Sequence, residues 1–180
     1  VGSRASTAYG SYIAADIASV LAESGWTVVS GGAYGIDAAA HRGALAADGA
    51  TIAVLASGVD VPYPPGHADL FDAIAAHGLL VSEWPPGQLV SRLRFLGRNR
   101  IIAALATGTL VVEAGSRSGA CNIARHARDL SRPLMAVPGP VTSEQSAGCH
   151  QLIREWHATL VTSPADVLDA LSTAQPNPAI

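Results

Sequence analysis

The chain has 180 residues, 49% of them hydrophobic and 14% charged, with a formal net charge of −3. That length fits one domain able to bury about 70% of the surface its unfolded chain exposes, so neither a metal nor a disulfide is needed to hold a core. No apolar run approaches the roughly 20 residues of a membrane span, no signal peptide is visible, and Cys121 and Cys149 form neither a CxxC motif nor a Cys/His cluster. The expectation is a cytoplasmic protein with two reduced thiols and no membrane partner, metal or cofactor.

Residues 1–3 read as the tail of a strand and open a polar loop, GSRAST at 2–7. A helix over 7–24 follows, its Ile13, Ile17, Val20 and Leu21 forming one apolar stripe. Strand 27–30 (TVVS) runs into the loop SGGAYG at 30–35 and a helix over 36–48. On that helix Asp37 and His41 are one turn apart; a capping Asp with a His packed behind it is favoured over an acid/base pair. Strand 51–56 (TIAVLA), helix 67–77, strand 79–82 (LLVS) and helix 98–107 come next. Strand 109–113 (TLVVE) leads through the loop EAGSRSG at 113–119 to a helix over 119–130. Strand 134–137 (LMAV), a PGP turn at 138–140, helix 148–156, strand 159–162 (TLVT) and helix 164–172 complete the pattern. Nearly continuous apolar strands alternating with helices predict an α/β domain over 1–172 with a doubly wound, mostly parallel sheet. Residues 173–180, rich in Pro and Asn, read as a tail or linker. In such a fold ligands sit beyond the carboxyl ends of the strands.

Charge is distributed unevenly. There is no lysine, and eight of the eleven arginines lie in 92–132, which holds two acids, Glu113 and Asp129; that stretch carries +6 and the remainder −9. A localised anionic partner is the simplest reason for a positive region on an acidic chain, a solvated helix face the blander one for Arg125, Arg128 and Arg132. The first three Gly-rich loops, with their hydroxyls and arginines, together favour a phosphate-bearing ligand approaching backbone N–H groups. GxGxxG and the Walker motif are both missing, which removes support for hydride transfer and ordinary ATP hydrolysis. In Gly115-Ser116-Arg117-Ser118-Gly119 the central residue is Arg117, so this is no nucleophile elbow. Cys121 and His126 are five residues apart on one helix, a poor spacing for a shared metal.

The stretch RLRFLGRNRIIAAL at 92–105 is the most pointed signal. Ile101, Ile102 and Leu105 follow Arg98 at i+3, i+4 and i+7, so Arg98 and Arg100 are expected in the first turn of a helix. Cations there oppose the helix dipole at a cost of about 0.3–1 kcal/mol each. An anion held between the helix start and the arginines would resolve the conflict, with Asn99 adding an amide. Ion pairs with Glu113 or Glu83 are the alternative, and the two arrangements can coexist. Phe95 is either a stacking surface for a base or plain core. Tyr34, a large ring among Gly and Ala, has the better stacking case. Tyr63 and Trp84 read as loop packing.

SGGAYGID at 30–37 with His41, TIAVL at 51–55 with Tyr63-Pro64, Ser82-Glu83, Phe95 with RNRII at 98–102, VVEA at 111–114 with Ser118-Gly119, and AVPG at 136–139 with Leu152-Ile153 resemble, in this order, the DNA-processing protein A family, DprA or Smf. The resemblance covers roughly 1–162. It implies an extended Rossmann-like domain that binds single-stranded DNA, protects incoming DNA in natural transformation, helps load the RecA recombinase, forms a homodimer and performs no catalysis. The family's DNA contacts map onto Gly2, Ser3 and Arg4, onto Ser30, Gly31 and Gly32, onto Phe95, Arg98, Asn99 and Arg100, and onto Ser116, Arg117, Ser118 and Gly119. Departures are Tyr34 and Leu96, where the family usually has Arg and Pro, and Cys121-Asn122-Ile123, where a Thr is usual. The family's lysines are missing, with Arg117 or Arg125 as substitutes. The helical and winged-helix modules of longer members have no counterpart in these residues.

Two other readings stand beside a single-stranded-DNA-binding module. One is an enzyme resembling the phosphoribohydrolases of the same superfamily, with Glu113 at a ribose and Arg98 on phosphate, although their PGGxGTxxE signature is absent. The other is a mononucleotide-sensing fold.

Overall fold

In chain order the elements are α1 (Ala8–Glu23), β1 (Val28–Ser30), α2 (Ile36–Ala46), β2 (Thr51–Val54), α3 (Ala68–His77), β3 (Leu79–Val81), α4 (Arg92–Leu105), β4 (Thr109–Val111), α5 (Gly119–Asp129), β5 (Leu134–Ala136), α6 (Ala147–Trp156), β6 (Thr159–Leu160) and α7 (Pro164–Ser172). Short 3-10 turns at Pro65–His67 and Glu144–Ser146 lead into α3 and α6. This computed structural model describes residues 1–173, so the expected tail lies almost wholly outside the described residues.

All strand pairings are parallel. β1, β2 and β3 form one three-stranded sheet, with Val29 opposite Ile52 and Ala53 opposite Leu80. β4, β5 and β6 form another, with Leu110 opposite Met135 and Ala136 opposite Leu160. Residues 1–3 lie along β4: Ser3 N donates to Glu113 O at 2.7 Å and Val112 N to Val1 O at 3.2 Å. Val1 also packs beside Val29 and Ile52 against the cluster of Val54, Ile102 and Ile123, so this segment is where the two sheets meet.

Alternation along the strands shows both faces covered, as the apolar runs predict. Met135 and Val137 pack with α1 and α7, while Leu134 and Ala136 pack with α5 and α6. Ala53 and Leu55 face α2 and α3; Val54 faces α4 and α5. Leu152, Ile153 and Trp156 pack into the α5–α6 core, with Leu152 fully buried.

One helix differs from its expected limits. α4 begins at Arg92, not at 98, because Ser91 caps it by accepting from Arg94 N at 3.2 Å. Its first two turns expose Leu93 and Leu96, so no apolar stripe marks them in the sequence. Arg98 and Arg100 are therefore mid-helix, and the dipole conflict expected of them falls on Arg92 and Arg94 instead.

Asp37 and His41 take structural places. Asp37 Oδ2 accepts from Gly31 N at 3.2 Å and Ala33 N at 3.4 Å, tying the loop to α2. Thr51 Oγ1 donates to Val28 O, which leaves it to accept from His41 Nδ1 at 2.7 Å. The His41 Nε2 lone pair is buried without a partner. Burial pushes the His41 pKa down to about 4, with Asp37 acting in the opposite sense.

The fold thus favours neutral His41, whereas the unfolded chain takes up a proton near pH 6.5. This contribution is complete above about pH 6.5 and declines as pH falls towards 4, reaching roughly 3 kcal/mol of lost stability below both values. Urea unfolding from pH 7 to 4.5 should show a steeper decline for the unaltered chain than for His41→Asn, whose amide can still donate to Thr51.

Candidate nucleic-acid interface

A cleft of about 1070 Å³ opens at the carboxyl ends of the strands, between the loop after residue 3, the start of α4 and the 115–119 loop. Four arginines line it, Arg4, Arg92, Arg98 and Arg117, with two carboxylates, Asp37 and Glu144. Two helix starts converge there. Ser91 caps α4, and Ser118 caps α5 by accepting from Cys121 N at 3.4 Å. Both caps line the cleft, as does Gly119, which presents the first N–H of α5.

The arginines differ in kind. Arg98 is only 4% exposed, and its Nη1 donates to Gly31 O at 2.8 Å and to Val54 O. Its Nε donates to Asn99 Oδ1 at 3.3 Å. Burial pulls its pKa below the ordinary guanidinium value, opposed by Asp37. Arg98 thus ties α4 to the ends of β1 and β2. Gly31 explains how it fits, since a Cβ at that position would lie 2.4 Å from Arg98 Nη1. Gly35 serves the neighbouring loop: its φ is +77°, and a Cβ there would lie 2.3 Å from Ser3 O. Arg4, Arg92 and Arg117 are exposed and have no ion pair among the described residues.

The other expected site residues divide between the cleft and the interior. Gly2, Ser3, Phe95, Asn99, Ser116, Ser118 and Gly119 line the cleft together with the arginines. Asn99 Nδ2 donates to Asn122 Oδ1 at 3.0 Å and to Gly119 O at 3.4 Å, bracing the 115–119 loop against α4. Phe95 carries the Arg4 guanidinium 4.8 Å from its ring centre, with Tyr63 edge-on at 5.9 Å. Ser30, Gly31 and Gly32 are buried behind Arg98 rather than in the lining. Tyr34 is outside it too, edge-on to His67 at 4.4 Å. Arg100 is exposed and paired with Glu83, the ion-pair alternative.

Among the described residues Glu113 pairs with no arginine. It is 3% exposed and accepts from Thr7 N at 2.9 Å and Thr7 Oγ1 at 2.5 Å, while Thr7 Oγ1 accepts from Gly10 N. An internal carboxylate therefore occupies the start of α1 and does not reach the cleft. The residues that sequence reasoning passed over are Ser91, Arg92, Glu144 and Gln145. Ser91 before an Arg-rich run was the readable signal for the first two; nothing in the sequence marks the last two.

These features define a Rossmann-like domain with a polar, arginine-lined cleft at the carboxyl ends of a parallel sheet. The family model for DNA recombination-mediator protein A matches residues 1–172, and the chain belongs to that family. It is 59% identical over 169 residues to the putative DNA processing protein DprA of Mycobacterium tuberculosis, spanning 94% of this chain and 43% of that protein. The solved DprA of Streptococcus pneumoniae superimposes with a TM-score of 0.87 at 42% identity, over 94% of this chain and 59% of that one. DprA of Helicobacter pylori, described for its single-stranded DNA binding mode, superimposes with a TM-score of 0.88 at 29% identity, over 96% and 78%. The chain thus spans less than half the length of the first relative.

Arg98→Met should destabilise the fold by about 2–4 kcal/mol, because two buried carbonyls lose their donor. Gly31→Ala should also destabilise, by displacing the same guanidinium. Arg100→Ala should stay within about 0.5 kcal/mol, since its ion pair is exposed. Urea unfolding free energies distinguish these outcomes.

Proposed function

We infer that this domain binds single-stranded DNA without strong base preference and performs no chemistry on it. One observation carries the reading: Arg4, Arg92 and Arg117, none of them in an ion pair among the described residues, line with Phe95 a cleft entered by two helix starts. Guanidinium forks and helix N–H groups suit phosphate oxygens, and a base stacks over the Arg4–Phe95 pair. Arg98, Asn99 and the loop glycines hold this surface in shape rather than touching phosphate. The family supports DNA processing in recombination as the setting. Protection of incoming strands in natural transformation, loading of RecA, a cytoplasmic location and a homodimer belong to the same reading.

The phosphoribohydrolase alternative loses its carboxylate, because Glu113 is bonded to Thr7 outside the cleft. Chromatography of nucleoside monophosphates incubated with the protein tests it directly, and release of free base at enzymatic rates would establish an enzyme. Mononucleotide competing as well as oligonucleotide would point to a nucleotide sensor.

Fluorescence anisotropy of a labelled single-stranded oligonucleotide across a salt series is the main test. Three to five paired phosphates give a log–log slope of about −2 to −3.5. Arg4→Ala/Arg92→Ala/Arg117→Ala should flatten it by about 2, and Arg100→Ala should leave it unchanged. A slope near zero for the unaltered protein would remove the electrostatic basis of the reading.

A further inference from the structure

The cleft does not use all the unpaired positive charge. α5 leaves the cleft at Gly119, and Cys121, Arg125 and Arg128 follow one another along it at i, i+4 and i+7. That face is turned to α6, since Cys121 packs in the same cluster as Ile153 and Trp156 of α6. α6 also begins at the cleft, where Ala147 lines it. Two neighbouring helices thus run outwards from the cleft, with a seam between them. Arg125 and Arg128 are exposed, and neither has an ion pair among the described residues, although Asp129 is on the same helix. At the far end the Arg128 guanidinium lies 4.3 Å from the ring centre of the half-buried Trp156. Arg154, the one arginine of α6, is paired with Glu155. Arg132, beyond α5, donates to Ala103 O and Ala106 O and so closes the end of α4.

A solvated helix face explains exposed arginines, but it does not explain the stack on Trp156. An arginine held over an indole presents a cation beside an aromatic edge, the pairing that grips phosphate and base together. We propose that the α5–α6 seam is a second segment of the DNA path, carrying a single strand out of the cleft past Arg125 to a stacking platform at Arg128 and Trp156. This rests on the cleft being the first segment. From Gly119 to Arg128 is nine residues, about 14 Å at 1.5 Å per residue. At about 3.4 Å per nucleotide of a stacked strand, that adds roughly four nucleotides to the site.

The test compares oligothymidylates of 4 and 16 nucleotides binding to the unaltered chain, to Arg125→Gln/Arg128→Gln and to Trp156→Leu, with thermal melts confirming the fold of each. Losing two phosphate contacts should flatten the salt slope for the 16-mer by about 1.4 and leave the 4-mer slope unchanged. Trp156→Leu keeps apolar bulk in the core cluster and should weaken the 16-mer at least fivefold with no change in slope. Equal affinity and slope of the double variant and the unaltered chain for the 16-mer would overturn the second segment while leaving the cleft reading intact. Equal loss for both lengths would also overturn it, because the effect would then belong to the cleft. No binding of either oligomer by the unaltered chain would sink both readings.

Discussion

A guanidinium held inside the protein organises the ligand-facing end of the molecule. Arg98 reaches from the middle of α4 to the last carbonyl of β2 and to the loop carbonyl after β1, and it has no carboxylate in direct contact. Backbone dipoles satisfy the charge, with Asp37 nearby. The anchorage fixes where α4 begins, and so where Ser91, Arg92 and Phe95 stand relative to the loop after residue 3. Asn99, next in sequence, braces the 115–119 loop from the same helix. The cleft walls are positioned by groups that a ligand does not need to touch.

The same logic assigns the remaining charges. Glu113 satisfies the start of α1, and Glu83 pairs with Arg100 at the surface. Apart from Arg4 and Arg42, the arginines without an ion pair among the described residues lie on or just before α4 and α5, or just after α5. An acidic chain can therefore present a positive face: of the two carboxylates that line the cleft Asp37 is bonded internally, which leaves Glu144 against the exposed Arg4, Arg92 and Arg117.

Much of this was legible in the sequence. Apolar strands such as TIAVLA and LMAV announced a sheet buried on both faces, and alternation along β5 and β2 shows it. The loops expected to gather at one end do so. What could not be read was which arginine faces inwards. Periodicity from Ile101 to Leu105 located the buried half of α4 but gave no sign of its exposed first turns, so Arg98 was placed at a helix start it does not occupy. Spacing also cannot tell a guanidinium that meets carbonyls from one that meets solvent, because that depends on β2 ending beside α4. Nor could spacing place Tyr34 beside His67, outside the cleft lining, because that neighbour is remote in sequence.

The fit between Gly31 and Arg98 also constrains how this surface can change. A side chain at position 31 displaces the guanidinium from its present place, while an apolar residue at position 98 leaves two carbonyls bare. Each position therefore limits what the other tolerates, and an apolar residue at 98 leaves the two carbonyls bare whatever stands at 31. The two sites are expected to be coupled, although 67 residues of chain separate them. The exposed arginines of the cleft and of α5 carry no such coupling and can be exchanged one at a time, so the scaffold of this site is far harder to alter than the charges mounted on it.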